Sequence, residues 1–227
     1  MTLAIFLLSR LLMADAGLPG LEAARNRQDR VALEKSIERF AADARTRQDN
    51  AEAQYRLALA NSYLAEVAME MRDKTKAREA AEAGMEPARR AVALDPRNAE
   101  HHRILGTLCG QVIPANVLLG LRYGRCAQEE IEKAVELNPH SAAAYLSRGV
   151  GNYYLPASFG GGVEPAIRDF QKALDMDHKF ADAYLWLGIA LRKAGKNGEA
   201  RKAIEKSLEL NPNRIWARQQ LKKTPAR

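Results

Sequence analysis

Apolar positions along this chain recur at helical spacing. From Asp29 to Arg47 they fall at Val31, Leu33, Ile37, Phe40 and Ala44, the stripe of an amphipathic helix. From Ala181 to Arg214 the pattern resolves into two helices, with Tyr184, Leu187, Gly188 and Leu191 on the first and Ala200, Ile204 and Ser207 on the second. Gly188 and Ala200 are small where two antiparallel helices must approach closely. Leu187, Leu191 and Ile204 fill the seam between them, and Pro212 ends the second helix because it cannot continue the backbone ladder.

The same frame runs upstream with longer turns. Residues 142–180 carry Tyr145 and Gly149, then Ala166, Phe170 and Ala173, with His178 in place of the exit proline. Residues 99–141 carry Leu105 and Gly106, then Ala127, Ile131, Ala134 and Pro139. Residues 51–98 carry Leu57 and Ala58, then Gly84, Ala88, Ala91 and Pro96, and fit least well. The 34-residue unit at 181–214 resembles the tetratricopeptide repeat (TPR), a helix-turn-helix unit of that period. The resemblance implies an all-α solenoid: a capping helix region over 17–50, four repeats, a C-terminal cap helix carrying "IWARQQL" up to residue 222, and a basic tail at 223–227.

It also implies a function. Repeats of this family grip a protein or peptide in a concave groove lined by their first helices. Mapped onto this sequence, the partner-binding places are Tyr55, Tyr63, Arg103, Leu146, Val150, Tyr153, Tyr154, Leu185, Trp186, Ile189, Arg192 and Lys193. The C-terminal half of that groove is apolar and aromatic with a basic edge. A protein or peptide is therefore the expected partner.

Between the two helices of the third repeat lies "YYLPASFGGGVEPAI". Pro156 stops the first helix, and Gly160, Gly161 and Gly162 permit positive φ in the excursion. The loop reads either as a spacer or as a rigid lip on the groove, with Phe159 at its tip or folded back as an anchor. It lacks the G-x-x-x-x-G-K of a phosphate cradle. Over Asn152 to Ala173 it is similar to the periplasmic accessory proteins of tripartite ATP-independent transporters. That local likeness implies a second reading, a carrier with an apolar channel for a small ligand.

Composition changes this picture little. Ala, Leu, Glu, Lys and Arg dominate, as in helical proteins, and the net charge of +7 is spread over helices that also carry acids. Only the end is one-sided, with Arg214, Arg218, Lys222, Lys223 and Arg227 and no acid, read as a solvated helix end. Nucleic acid is disfavoured because no aromatic stacking motif accompanies that charge. No enzyme motif and no cofactor fingerprint is present, and Glu129 and Glu130 read as a solvated helix start.

Residues 1–16 look like an export signal, with an apolar run from Leu3 to Met13 before Ala14-Asp15-Ala16, although Arg10 interrupts it. The expected location is periplasmic or secreted, or cytoplasmic if this segment is not a signal. No other stretch approaches the length of a membrane span. Cys109 and Cys126 fall on neighbouring antiparallel helices, so export predicts a disulfide between them and a reducing compartment predicts two small buried hydrophobes. Zinc held by His102 and Cys109 is the third option, without the paired C-x-x-C such sites use. His101, His140 and His178 are expected at the surface.

Overall fold

The computed structural model describes residues 18–226, so the signal-like segment at 1–16 lies outside the described residues. Eleven α-helices follow: α1 (Leu18–Asn26), α2 (Arg30–Thr46), α3 (Ala51–Glu70), α4 (Lys74–Leu94), α5 (Ala99–Val112), α6 (Gly120–Leu137), α7 (Ala142–Tyr154), α8 (Val163–Met176), α9 (Ala181–Lys193), α10 (Asn197–Leu210) and α11 (Ile215–Lys222). Short 3₁₀ turns occupy Ile113–Ala115, Val117–Leu119 and Ala157–Phe159. Among the described residues there is no strand, and no helix is long and apolar enough to cross a membrane.

Local chemistry sets many of the starts. Asp29, Asn50, Asp73, Asn98 and Ser141 each cap a helix by accepting a hydrogen bond from a backbone N–H in its first turn. Helices then pair in antiparallel hairpins, α3 with α4, α5 with α6, α7 with α8 and α9 with α10, and successive hairpins stack. The seams need a residue without a side chain at the crossing. A methyl group on Gly188 would lie 2.5 Å from Ile204 Cγ1, and one on Gly149 would lie 2.5 Å from the Phe170 ring. The molecule is an all-α TPR solenoid.

The N-terminal region departs from the expected single cap. Residues 17–50 hold two helices, α1 and α2, and Leu21, Leu33, Phe40 and Ala44 are buried. The first repeat is also stretched. α3 and α4 have 20 and 21 residues where α9 and α10 have 13 and 14. At 1.5 Å per residue, the extra seven residues extend that hairpin by about 10 Å. They place Glu66 and Glu70 opposite the far end of the solenoid.

Three expectations about charge and position are corrected here. Arg214 is not part of a solvated tail; it is 1% exposed and precedes the N-terminus of α11. His101 is buried, with its ring 5.5 Å from that of Tyr55, because its helix face turns into the stack. Glu129 and Glu130 lie in the middle of α6, which begins at Gly120, and do not mark a helix start.

Candidate functional site

The N-terminal half of the groove is satisfied from within. The Tyr55 hydroxyl donates to Glu100 Oε1 at 2.9 Å, and Arg103 binds Glu100 through Nε at 2.6 Å and Ser147 Oγ through Nη1 at 3.1 Å. Burial would raise the Glu100 carboxyl, but Arg103 and the Tyr55 hydroxyl outweigh it and hold Glu100 below the usual range. Tyr63 lies under the Arg25 guanidinium, 5.0 Å from its ring centroid, and burial raises its hydroxyl pKa. These side chains are committed to one another.

Next to them the solenoid closes on itself. Arg25 on α1 binds Glu66 on α3 at 2.7 Å and Asp182 on α9 at 2.8 Å. Arg214 binds Glu66 at 2.7 Å, Glu70, and Asp182 through Nε at 3.6 Å. Gln28 spans the same gap, donating to Glu70 at 2.8 Å and accepting from Gln219 Nε2 at 3.1 Å. Three carboxylates share two guanidiniums in a largely buried site, so one carboxyl is undercompensated. Burial pushes Glu70 up to about 7, with Arg214 opposing and Glu66 reinforcing. Asp182 goes the other way, because Arg25 and Arg214 together overcome the burial that would raise it.

The C-terminal half differs. Trp186 is surrounded by rings, with Trp216 at 5.2 Å, Tyr153 at 5.9 Å, Tyr154 at 6.2 Å and Phe170 at 6.2 Å. Tyr154 stays 59% exposed at one side of this cluster, and the Lys193 ammonium sits 4.3 Å from the Tyr153 ring centroid. Not every expected groove residue is available to a partner. Leu185 and Ile189 are buried against Ile204 and Ala217, since they face the hairpin seam. Arg192 is spent on the C-terminal cap, binding Gln220 O at 3.1 Å, Gln220 Oε1 at 2.8 Å and Thr224 Oγ1 at 3.1 Å. Leu146 and Val150 are half-buried against the Phe170 cluster. The exposed ring of Tyr154, the Trp186 cluster behind it and Lys193 form the candidate surface.

Beside it the glycine loop is built, not slack. Gly160 and Gly162 have φ of +84° and +112°, and a methyl on Gly161 would lie 2.3 Å from Leu155 O. Gly162 N–H donates to Asn152 O at 2.8 Å, and Asn152 Nδ2 donates to Asp169 at 2.8 Å, which also holds Arg148. Pro156 caps the 3₁₀ turn that ends at Phe159, which is 72% exposed.

Cys109 on α5 and Cys126 on α6 are bonded, with Cα atoms 6.0 Å apart. His102 is held between Glu130 Oε2 at 2.7 Å and Pro96 O at 2.9 Å and does not meet a sulfur. At the closure lies a cleft of about 330 Å³, lined by polar side chains including Glu22, Asn26, Asp177, Lys179 and Asn211.

Comparison with known proteins agrees with this architecture. A family model described as "Regulator of microtubule dynamics protein 1-3" matches residues 21–155, more than half of the chain, and a tetratricopeptide repeat model matches residues 181–214. The chain belongs to the regulator of microtubule dynamics protein 1-3 family. Similar to it are regulator of microtubule dynamics protein 3 of Bos taurus, 28% identical over 176 residues, and small glutamine-rich tetratricopeptide repeat-containing protein 2 of Mycosarcoma maydis, 36% identical over 91 residues. These matches cover 70% and 40% of this chain but only 36% and 24% of the relatives, so the chain spans about a third and a quarter of their lengths. Among solved structures, a thermophilic TPR protein of Thermus thermophilus, TTC0263, superposes with a TM-score of 0.64 at 20% identity, covering 85% of this chain and 90% of that one. At that identity the likeness speaks for the fold alone. The family match spans α1 through α7, so it includes the long α3–α4 hairpin and both Arg25 and Glu66.

Proposed function

We propose that this regulator of microtubule dynamics family member is a non-catalytic interaction scaffold that binds a protein or peptide segment at the C-terminal half of its inner face. The observation that carries the reading is the ring cluster around Trp186, with an exposed Tyr154 and a lysine at its edge. Aromatic side chains in a packed setting are the usual anchors of protein recognition, because they bury much area while ordering few torsions. Lys193 favours a segment that carries a carboxylate close to its apolar anchor. The N-terminal half of the groove contributes shape but few free donors, since Tyr55, Tyr63 and Arg103 already have partners.

A small-ligand carrier would call for an apolar channel, and the cleft at the closure, lined largely by polar side chains, is not such a channel. For location, the export-like residues 1–16 and the bonded cysteine pair both favour an oxidising compartment, periplasmic or extracellular. Selection of a displayed peptide library on the purified chain tests the binding reading. Trp186→Ala and Tyr154→Ala are expected to weaken the selected peptides by at least about tenfold, the loss typical of a hot spot. Peptides that bind both variants as tightly as the parent would end this reading.

A further inference from the structure

We propose that the connection between α5 and α6 is a docking surface for an anionic lipid membrane. Apart from Tyr154 and Phe159 by the glycine loop, large apolar side chains are exposed elsewhere at single places such as Val31, Met71 and Leu94, but here two leucines occur together. Leu118 is 67% exposed and Leu121 is 89% exposed, the highest value among the exposed large hydrophobic side chains of the described residues. Leu118, Leu121, Arg122 and Arg125 follow i, i+3, i+4, i+7 spacing, and all four are exposed. Across the 3₁₀ turn that holds Leu118 and the start of α6, two exposed leucines are thus followed by two exposed guanidiniums.

Charge complementarity selects the occupant. From His101 through Gln128 the chain contains no Asp or Glu, while the exposed Arg122 and Arg125 fall in this interval. Leucines that enter the acyl boundary beside arginines that stay at the phosphate level are the arrangement by which peripheral proteins sit on anionic bilayers. Arg125 is paired with Glu129 at 2.7 Å, but both are well exposed, and a pair of that kind yields readily to a lipid phosphate. Arg122 rests 5.1 Å from the ring centroid of Tyr123, which is buried in the core and fixes the turn from below.

Hydrogen bonds to Asn116 shape the turn that carries Leu118. Asn116 accepts from the Leu118 N–H through Oδ1 at 3.0 Å and from the Leu119 N–H through its carbonyl at 2.9 Å. The Cys109–Cys126 bond ties the two ends of the connection to each other.

Sedimentation of the full chain with vesicles tests this. The parent is expected to pellet with phosphatidylserine-containing vesicles, to remain in the supernatant with pure phosphatidylcholine, and to be released by high salt. The double variant Leu118→Ser, Leu121→Ser and the double variant Arg122→Ser, Arg125→Ser should each lose on the order of tenfold or more in partitioning. Val31→Ser should bind as the parent does. Unchanged binding of either double variant, with helix content retained by circular dichroism, overturns the proposal, as does equal binding to neutral vesicles. Self-association in sedimentation velocity that the leucine pair abolishes, without vesicle binding, would assign the surface to a second copy of the chain instead.

Discussion

Arg25 donates from Nη1 to Asp182 Oδ2 at 2.8 Å, joining residues 157 positions apart in the chain. Stacked repeats contact only their neighbours, so this link is not a consequence of stacking. It exists because α1 stands at one end of the inner face, the extended α3 reaches across it, and α9 and α11 return to meet them through Asp182 and Arg214. Side chains make most of this closure, with Arg25 O also accepting from Arg214, and Glu70 and Arg214 are the most deeply buried of its charged groups.

Removing one partner from such a site strands the others. Arg214→Ala leaves Glu66, Glu70 and Asp182 with one guanidinium among three acids, and should cost about 3–5 kcal/mol of stability. Urea unfolding measures the loss. Small-angle scattering should also show a larger radius of gyration in Arg25→Ala, since the two ends are then held by fewer contacts. An unchanged radius would mean that repeat stacking alone sets the curvature.

The acid excess in this cluster gives stability a pH dependence of definite sign. The folded-state pKa of Glu70 lies above its unfolded value, at about 7, so its contribution is full below the ordinary carboxylate range and is lost as pH rises through neutrality. Asp182 and Glu100 are held low, so their contributions are lost only in acid, below the ordinary carboxylate range. From about pH 5 to pH 7 the Glu70→Gln variant should therefore gain on the parent as pH rises, by on the order of 1 kcal/mol per pH unit, and the gain should level off above that. Chemical denaturation at several pH values reads this out, and parallel curves for parent and variant would show that Glu70 does not titrate there.

The repeats were legible in the sequence because their determinants sit close together. Gly188 faces Ile204, and that pairing recurs as Gly149 with Phe170 and Gly106 with Ile131, so the same small-against-large pair returns at each hairpin crossing even though the turns between the helices differ in length. The closure left no such trace. Its partners are 41 to 191 residues apart, and Arg214 stands in a run of basic residues of which Arg218, Lys222 and Lys223 are exposed. Helix α1 was hidden for a related reason: nine residues with Pro19 and Gly20 among them make too short a stripe to recognise. On the inner face, the aromatic cluster was legible as residues but not as a surface. Which of Leu185, Trp186 and Ile189 faces outward depends on where α11 packs, and that is set by contacts beyond the repeat.

The glycine loop separates two kinds of glycine within a dozen residues. Gly161→Ala puts a methyl 2.3 Å from a backbone carbonyl, which cannot move as a side chain end would, and should destabilise by about 1–3 kcal/mol. Gly151→Ala, in the exposed last turn of α7 with nothing within 4 Å, should instead stabilise by about 0.5–1 kcal/mol. Thermal unfolding of both variants checks the contrast, and opposite signs are the expected result.

The bond between Cys109 and Cys126 closes a short loop, and its effect can be separated from packing. In the chain-entropy treatment a ring of this size stabilises by about 3 kcal/mol, because it restricts the unfolded chain. Cys109 is fully buried beside Met85, so its replacement would open a cavity; Cys126 is the better position to change. Cys126→Ser should lower the urea midpoint to near that of the reduced parent and remove the parent's response to reductant. If reductant lowers the midpoint of the variant as much as it lowers that of the parent, the stabilisation belongs to something other than this bond.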